Sequence, residues 1–149
     1  IDSLATKHNV SVFSIFAAAL KILLSRLTGE KDITFGIPAA NRNHEQLKHV
    51  VGSFINTLML RNTVEKQDDF ATLLNAVNNS LIEALENQNY PFEQLLESLE
   101  IPTQEGRFPI SPVFLNLLDF EAQTDEEITS FSSAHGQIEA SPKFDFECY

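Results

Sequence analysis

The sequence holds a single cysteine, Cys148, so no disulfide can form within the chain, and a reducing, cytoplasmic setting is expected. Tryptophan is absent, and the five glycines among 149 residues build no glycine-rich phosphate loop. Positive charge is scarce: ten Lys and Arg against 21 Asp and Glu leave a net charge of −11. That balance argues against nucleic acid or an anionic membrane surface as partner. No apolar run reaches the roughly 20 residues of a membrane helix, and no charged-then-apolar leader opens the chain. A serine nucleophile elbow is missing too. The four histidines, His8, His44, His49 and His135, stand apart, without H-x-x-x-H or C-x-x-C metal spacing. Each is expected to be solvated surface, and only His135 with Glu139 could be forced into an acid–base pair. Asn9-Val-Ser and Asn78-Asn-Ser match the glycosylation pattern, which without a secretory signal reads as chance.

What is present describes one globular domain: 43% of the residues are hydrophobic, enough to bury a real core. The chain opens at Ile1 and stops at Tyr149 in apolar, strand-like sequence, so a piece of a longer polypeptide is expected. Residues 2–8 suit a short helix. "SVFSIFAAALKILLSRLTG" (11–29) suits a longer one, with Ser11 as N-cap and Gly29 just past its end. Its polar positions Ser14, Lys21, Ser25 and Thr28 form one narrow stripe, which predicts burial around most of the circumference. "DITFGIP" (32–38) reads as a strand ended by Pro38, and 39–49 as a polar connection.

Phe70, Leu73, Leu74, Val77, Leu81, Ala84 and Leu85 recur at helical spacing behind Asp68 or Asp69, predicting a helix of about 17 residues. "NQNYP" breaks it. Pro91 then suits the first turn of another helix, with Phe92, Leu95, Leu96 and Leu99 inward and Glu93 as a capping carboxylate. Glu93, Glu97 and Glu100 otherwise read as a solvated face. Residues 101–112 read as a loop in which Arg107 is either an anchor or an exposed cation. "VFLNLLDF" (113–120) reads as a strand, 121–137 as an acidic loop or weak hairpin, and "KFDFECY" (143–149) as a last strand. The order α–α–β–β–α–α–β–β predicts a mixed sheet packed with helices, an α/β chain of the α+β type.

"VVGSFINTLMLRN" (50–62) poses a question inside its predicted strand, about 53–62. Alternation puts Asn56 with Phe54, Leu58 and Leu60, and Thr57 with Ile55 and Met59, so two largely apolar faces each carry a polar group. A buried amide must be hydrogen-bonded. Asn56 either fixes a crossing backbone segment or lines a substrate path, or it ties neighbouring strands or a bulge. Taken alone, the residues supply no catalytic machinery.

Four segments in order carry a resemblance: "LLSRLTGEKDITFGIPAANR" (23–42), "VGSFINTLMLR" (51–61), "NQNYPFEQLLE" (87–97) and "RFPISPVFLNLLDF" (107–120). Together they resemble the C-terminal half of condensation domains from nonribosomal peptide synthetases. Gly52, Phe54, Asn56 and Thr57 are similar to that family's G-x-F-x-N-T motif, and Pro91, Phe92 and Glu93 to its (H/N)-Q-x-x-P-F-E motif. Arg107 opens a stretch like its late R-x-x-S-x-x-P region, without the second arginine often found there. Asn41 stands where the family usually has glycine before Arg42; asparagine tolerates left-handed backbone angles, so the turn can survive.

The resemblance implies a chloramphenicol-acetyltransferase-like lobe, one of two that face each other across a tunnel. Carrier proteins would deliver thioester-linked donor and acceptor on phosphopantetheine arms, with no cofactor bound directly by this chain. The acceptor amine would attack the donor thioester to form an amide. The partners implied are the N-terminal lobe and peptidyl or aminoacyl carrier proteins. The family's H-H-x-x-x-D-G signature lies in the N-terminal lobe, and this chain has no H-H pair, so no catalytic residue is assigned and the fragment is expected to be inactive alone. These motif residues are expected to line the tunnel or to serve as scaffold. A docking lobe of a degenerate domain, or an epimerising, heterocyclising or ester-forming relative, remains as an alternative. Carrier proteins in such systems are generally acidic, as this chain is, so docking would need a local apolar or basic patch. Lys7, Lys21 and Arg26 are candidates for one, though ordinary solvated charges are expected.

Overall fold

The computed structural model describes residues 1–42, 45–47, 49–102, 108–117 and 146–148. Helices α1 (Asp2–His8) and α2 (Val12–Thr28) lead into strand β1 (Asp32–Ala39), a short 3₁₀ turn (Glu45–Leu47) and strand β2 (Asn56–Thr63). Helices α3 (Phe70–Glu86) and α4 (Phe92–Ser98) follow, then strands β3 (Val113–Leu115) and β4 (Phe146–Cys148). The expected order of elements stands. The sheet runs β2-β1-β3-β4, with β1 and β2 antiparallel and β1–β3 and β3–β4 parallel.

Local signals explain the long helices. Ser11 accepts a hydrogen bond from Ser14 N, and Gly29 closes α2 in the left-handed region at φ 77°. Asp69 accepts from Thr72 N at 2.8 Å and starts α3, and this bond holds its carboxyl below the usual carboxylate range. One sheet face, with Phe35, Ile37, Leu58 and Leu60, packs against Ala17, Ala18, Leu74 and Val77 of α2 and α3. The register sets Phe35 opposite Leu60 and Ile37 opposite Leu58, so the two strands bury one continuous surface. Gly36 lies on the other face, where an added Cβ would come within 2.7 Å of the Phe114 ring; β3 can approach only because that side chain is missing.

Several expectations need correction. The polar stripe of α2 is split: Ser14 and Lys21 are fully buried and Ser25 half-buried, whereas Thr28 is exposed, as are Phe16, Leu23 and Leu27, so the expected burial around most of the circumference does not hold. Ser14 and Lys21 are inward because they find partners there. Ser14 Oγ donates to Asn78 Oδ1 of α3 at 2.9 Å. Lys21 Nζ donates to Ile33 O and Leu60 O, each at 2.9 Å, and stands 4.3 Å above the centre of the Phe35 ring. Lys21 is therefore no part of a solvated basic patch; Lys7 and Arg26 are exposed. Pro38 does not end β1 but pairs with Thr57 inside the ladder, and β2 starts at Asn56 instead of 53. Ile55 is 71% exposed outside the strand, so the two-sided burial expected there is absent. Leu85 and Leu99 are exposed, not inward. β3 ends at Leu115; the rest of the strand expected to 120 either lacks strand structure (116–117) or lies outside the described residues. Only 146–148 of the last predicted strand are described. The acidic stretch 121–137, His44 and His135 also lie outside.

Lys21 gives the fold a pH dependence. Burial lowers its pKa from 10.5 to about 7, opposed in part by the Asp32 carboxylate. Between those values the unfolded chain holds a proton that the folded chain has released, so stability should rise with pH, at most by about 1.4 kcal/mol per unit. Urea unfolding at pH 7 to 9 should show this rise, and Lys21→Met should flatten it; an unchanged slope in the variant would contradict the assignment.

Candidate functional site

α3 packs on the helix-facing side of the sheet, while α4 lies by the opposite face, where Thr57, Met59 and Leu95 line a common groove. The chain must therefore pass around the edge strand β2 between residues 87 and 91. Asn56, the first residue of β2, holds it there. Its Nδ2 donates to Gln88 O at 2.8 Å and Tyr90 O at 2.7 Å. Its Oδ1 accepts from Thr57 N at 2.9 Å and from Phe92 N at 3.1 Å. Both donors and both lone-pair positions of the carboxamide are used. The side chain fixes a crossing backbone segment: three of its four bonds run to that segment and the fourth to Thr57 of its own strand, none to a neighbouring strand.

These bonds join the two central sequence motifs physically. Phe92 N is the first helical amide of α4, an orphan donor that needs a partner. Pro91 is the N-cap residue and has no side chain that can accept. Glu93, expected to cap, is exposed and makes no such bond; the cap comes from Asn56, 36 residues earlier. Phe92 is buried and stacks on Phe108, ring centres 5.1 Å apart at 4°. Thr57 is half-buried and contributes its backbone N–H.

Ahead of Asn56, Arg42 organises the loop. Its Nη1 donates to Leu47 O and Val50 O and its Nη2 to Gly52 O, each at 2.8 Å. The guanidinium carbon sits 4.4 Å over the Phe54 ring, a cation–π contact. Asn41 takes φ 50°, so the turn before Arg42 survives without glycine. Gly52 lies against Phe54, where a Cβ would reach 3.3 Å from the ring. The sequence signal for Arg42 is an arginine shortly before a G-x-F loop, and local pattern alone does not give it this role.

Ser111, in the "SP" of the late segment, has a role that local sequence likewise does not give. It is buried, donates from Oγ to Thr34 O at 2.7 Å and accepts from Val113 N at 3.2 Å, tying this segment to β1. Arg107 lies outside the described residues. An open groove of about 560 Å³ runs along this side, between Met59, Leu95, Leu99 and Ile110. Arg61 grips Asp32 at its rim, with Nη2–Oδ2 at 2.6 Å, which holds the Asp32 carboxyl below its usual range. Among the described residues no three His, Cys, Asp or Glu side chains could hold a metal, and no single helix is long and apolar enough to cross a membrane.

A family model described as "Condensation domain" matches residues 1–148. The chain is 35% identical over 146 residues to bacitracin synthase 3 of Bacillus licheniformis, covering 97% of this chain and 2% of that protein. Its fold is similar to that of a four-domain nonribosomal peptide synthetase solved with AMP and glycine: TM-score 0.74, 19% identity, 78% of this chain and 9% of that one. The starter condensation domain of rhizomide synthetase, solved as a variant with C8-CoA, gives TM-score 0.65 and 28% identity over 73% of this chain and 24% of that one. The fold is thus the chloramphenicol-acetyltransferase-like arrangement of condensation domains.

Asn56 supports a sharp test. Asn56→Ala should lower stability by about 1–3 kcal/mol in urea unfolding, since backbone groups on both sides lose partners. Asn56→Asp should do no better, because a carboxylate keeps the two acceptor bonds but faces Gln88 O and Tyr90 O without donors. Wild-type stability in either variant would contradict the four-bond arrangement.

Proposed function

The chain belongs to the condensation-domain family, and from that membership we propose that it is the C-terminal half of a domain forming amide bonds in nonribosomal peptide synthesis. It spans 2% of the bacitracin synthase it resembles, so the reaction belongs to a larger polypeptide. In that reaction an acceptor amine, held as a thioester on one carrier protein, attacks the donor thioester carbonyl on another. The C–N bond forms, the C–S bond breaks, the thiol leaves on the donor's phosphopantetheine arm, and the nitrogen gives up a proton. The carriers and their arms are substrates here, not resident cofactors.

This half supplies shape, not proton transfer. Among the described residues the histidines are His8, on α1 near the Asp69 carboxylate, and His49, in the loop before β2. The observation that carries the reading is the Asn56 junction: it unites "GSFINT" and "NQNYPFE", two segments far apart in sequence, as one rigid wall. Such a wall can hold two thioester arms in line, and positioning is a large share of any bimolecular acyl transfer. Gly52, Phe54, Asn56, Thr57, Pro91 and Phe92 are scaffold of this wall, with Glu93 at its margin. The N-terminal half of the domain brings the proton-handling groups, and the carrier proteins are the partners.

Carrier-bound aminoacyl and peptidyl thioesters provide the test. The complete parent domain should form the amide, the isolated chain should not exceed the uncatalysed rate, and Asn56→Ala in the complete domain should lower melting temperature and turnover together. Amide formation by the chain alone would overturn the proposal. Lost turnover with unchanged melting would move Asn56 from scaffold to the chemistry itself.

A further inference from the structure

Among the described residues, four that are not glycine take positive φ: Asn9, Asn41, Glu100 and Ile110. Asparagine tolerates that region, but a β-branched side chain there is an outlier. Ile110 stands at φ 73°, and Ser111 N donates across it to Pro109 O at 3.0 Å. These are the marks of the rare, strained form of the γ-turn. Two anchors explain why the strain persists. Phe108 stacks on Phe92 at the start of α4, and the buried Ser111 donates from Oγ to Thr34 O of β1 at 2.7 Å. Only Pro109 and Ile110 lie between them. The proline ring fixes its own φ near about −65°, so the reversal of the chain falls on Ile110.

The second outlier that is not asparagine closes α4 itself. Glu100 takes φ 53° where glycine is usual, with Glu100 N bonded to Glu97 O at 3.1 Å and Ile101 N to Leu96 O at 3.0 Å. The two ends of this helix are held unequally. Its start is fixed by Asn56 on Phe92 N and by burial of the Phe92 ring. Towards its far end Leu96 is buried, but Leu95 is only half-buried and Leu99 is 56% exposed. Leu95 and Leu99 border the groove that Ile110 and Met59 also line.

We propose that the turn at Ile110 is a strained clasp: it lets the far end of α4 lift from the sheet about the start that Asn56 holds, widening this groove while α3, β1 and β2 stay folded. The inference goes beyond the functional reading and does not depend on amide formation. Lifting frees Ile110 to return to negative φ. Strain held in the closed form is therefore released on opening and lowers the cost of opening.

Amide hydrogen exchange in the complete parent domain tests this, with Ile110→Gly compared against Ile110→Ala. Both variants lose the aliphatic side chain, but alanine keeps the Cβ that strains the turn and glycine removes it. Their difference isolates the backbone. Where φ is negative, glycine is the less stable of the two. Here the order should invert, and the amides of Leu95 to Leu99 should exchange about fivefold or more slowly in Ile110→Gly than in Ile110→Ala. In the unaltered domain the same amides should exchange at least about tenfold faster than those in the middle of α3, as separate opening requires. An Ile110→Ala domain that fails to fold beside a folded Ile110→Gly domain shows the same inversion. Equal or faster exchange in Ile110→Gly would overturn the clasp, as would failure of that variant to fold. One common rate for α3 and α4 in the unaltered domain would overturn the local lifting.

Discussion

One carboxamide decides how the second half of this chain is laid out. The polypeptide leaves the helix-packed face of the sheet at the end of α3 and must reach the opposite face to start α4. Asn56 sits at the edge it passes and engages four backbone groups, two of them carbonyls of the passing segment and one the first amide of α4. An edge strand offers unpaired polar groups and a path for the chain to drift. Here a side chain uses that edge to fix the path. The position of α4, and the groove between α4 and β2, follow from it.

The other face depends on a different polar group. Lys21 reaches from α2 to carbonyls of both β1 and β2, so a single amino group spans helix and strands. Burial disfavours its charged form, which is why its pKa falls to about 7. Two carbonyls and the face of Phe35 surround Lys21, with the Asp32 carboxylate acting from the rim. Asn62 adds a further tie between β2 and α3, through Ser80 Oγ at 2.8 Å. Side chains that bond to backbone thus set the layout at both faces, while the aliphatic core between them supplies most of the burial.

Much of this could be read from the residues. The 17-residue helix behind Asp69, the Ser11 and Gly29 caps of α2 and the order of elements all rest on signals within a few positions of each other, and all are present. Asn41 in the left-handed region was legible for the same reason. The failures share a physical cause, which is distance along the chain. Periodicity locates the stripe of Ser14, Lys21, Ser25 and Thr28 but cannot say that carbonyls of β1 and β2 await Lys21 while Thr28 stays exposed. A first-turn glutamate is a common local cap, yet the actual cap of α4 arrives from 36 residues upstream. Arg42 and Ser111 act on backbone carbonyls that only the fold brings near. The motifs were visible as sequence; their joining was not.

Hydrogen exchange at the Phe92 amide tests the central claim most directly. An N-terminal helix amide without a partner exchanges at close to the rate of an unstructured peptide, because no intrahelical acceptor exists for it. Bound to Asn56 Oδ1, the Phe92 N–H should exchange at least tenfold more slowly than that, and the protection should vanish in Asn56→Ala while amides in the middle of α3 keep theirs. Exchange of Phe92 at the unprotected rate in the unaltered chain would contradict the account.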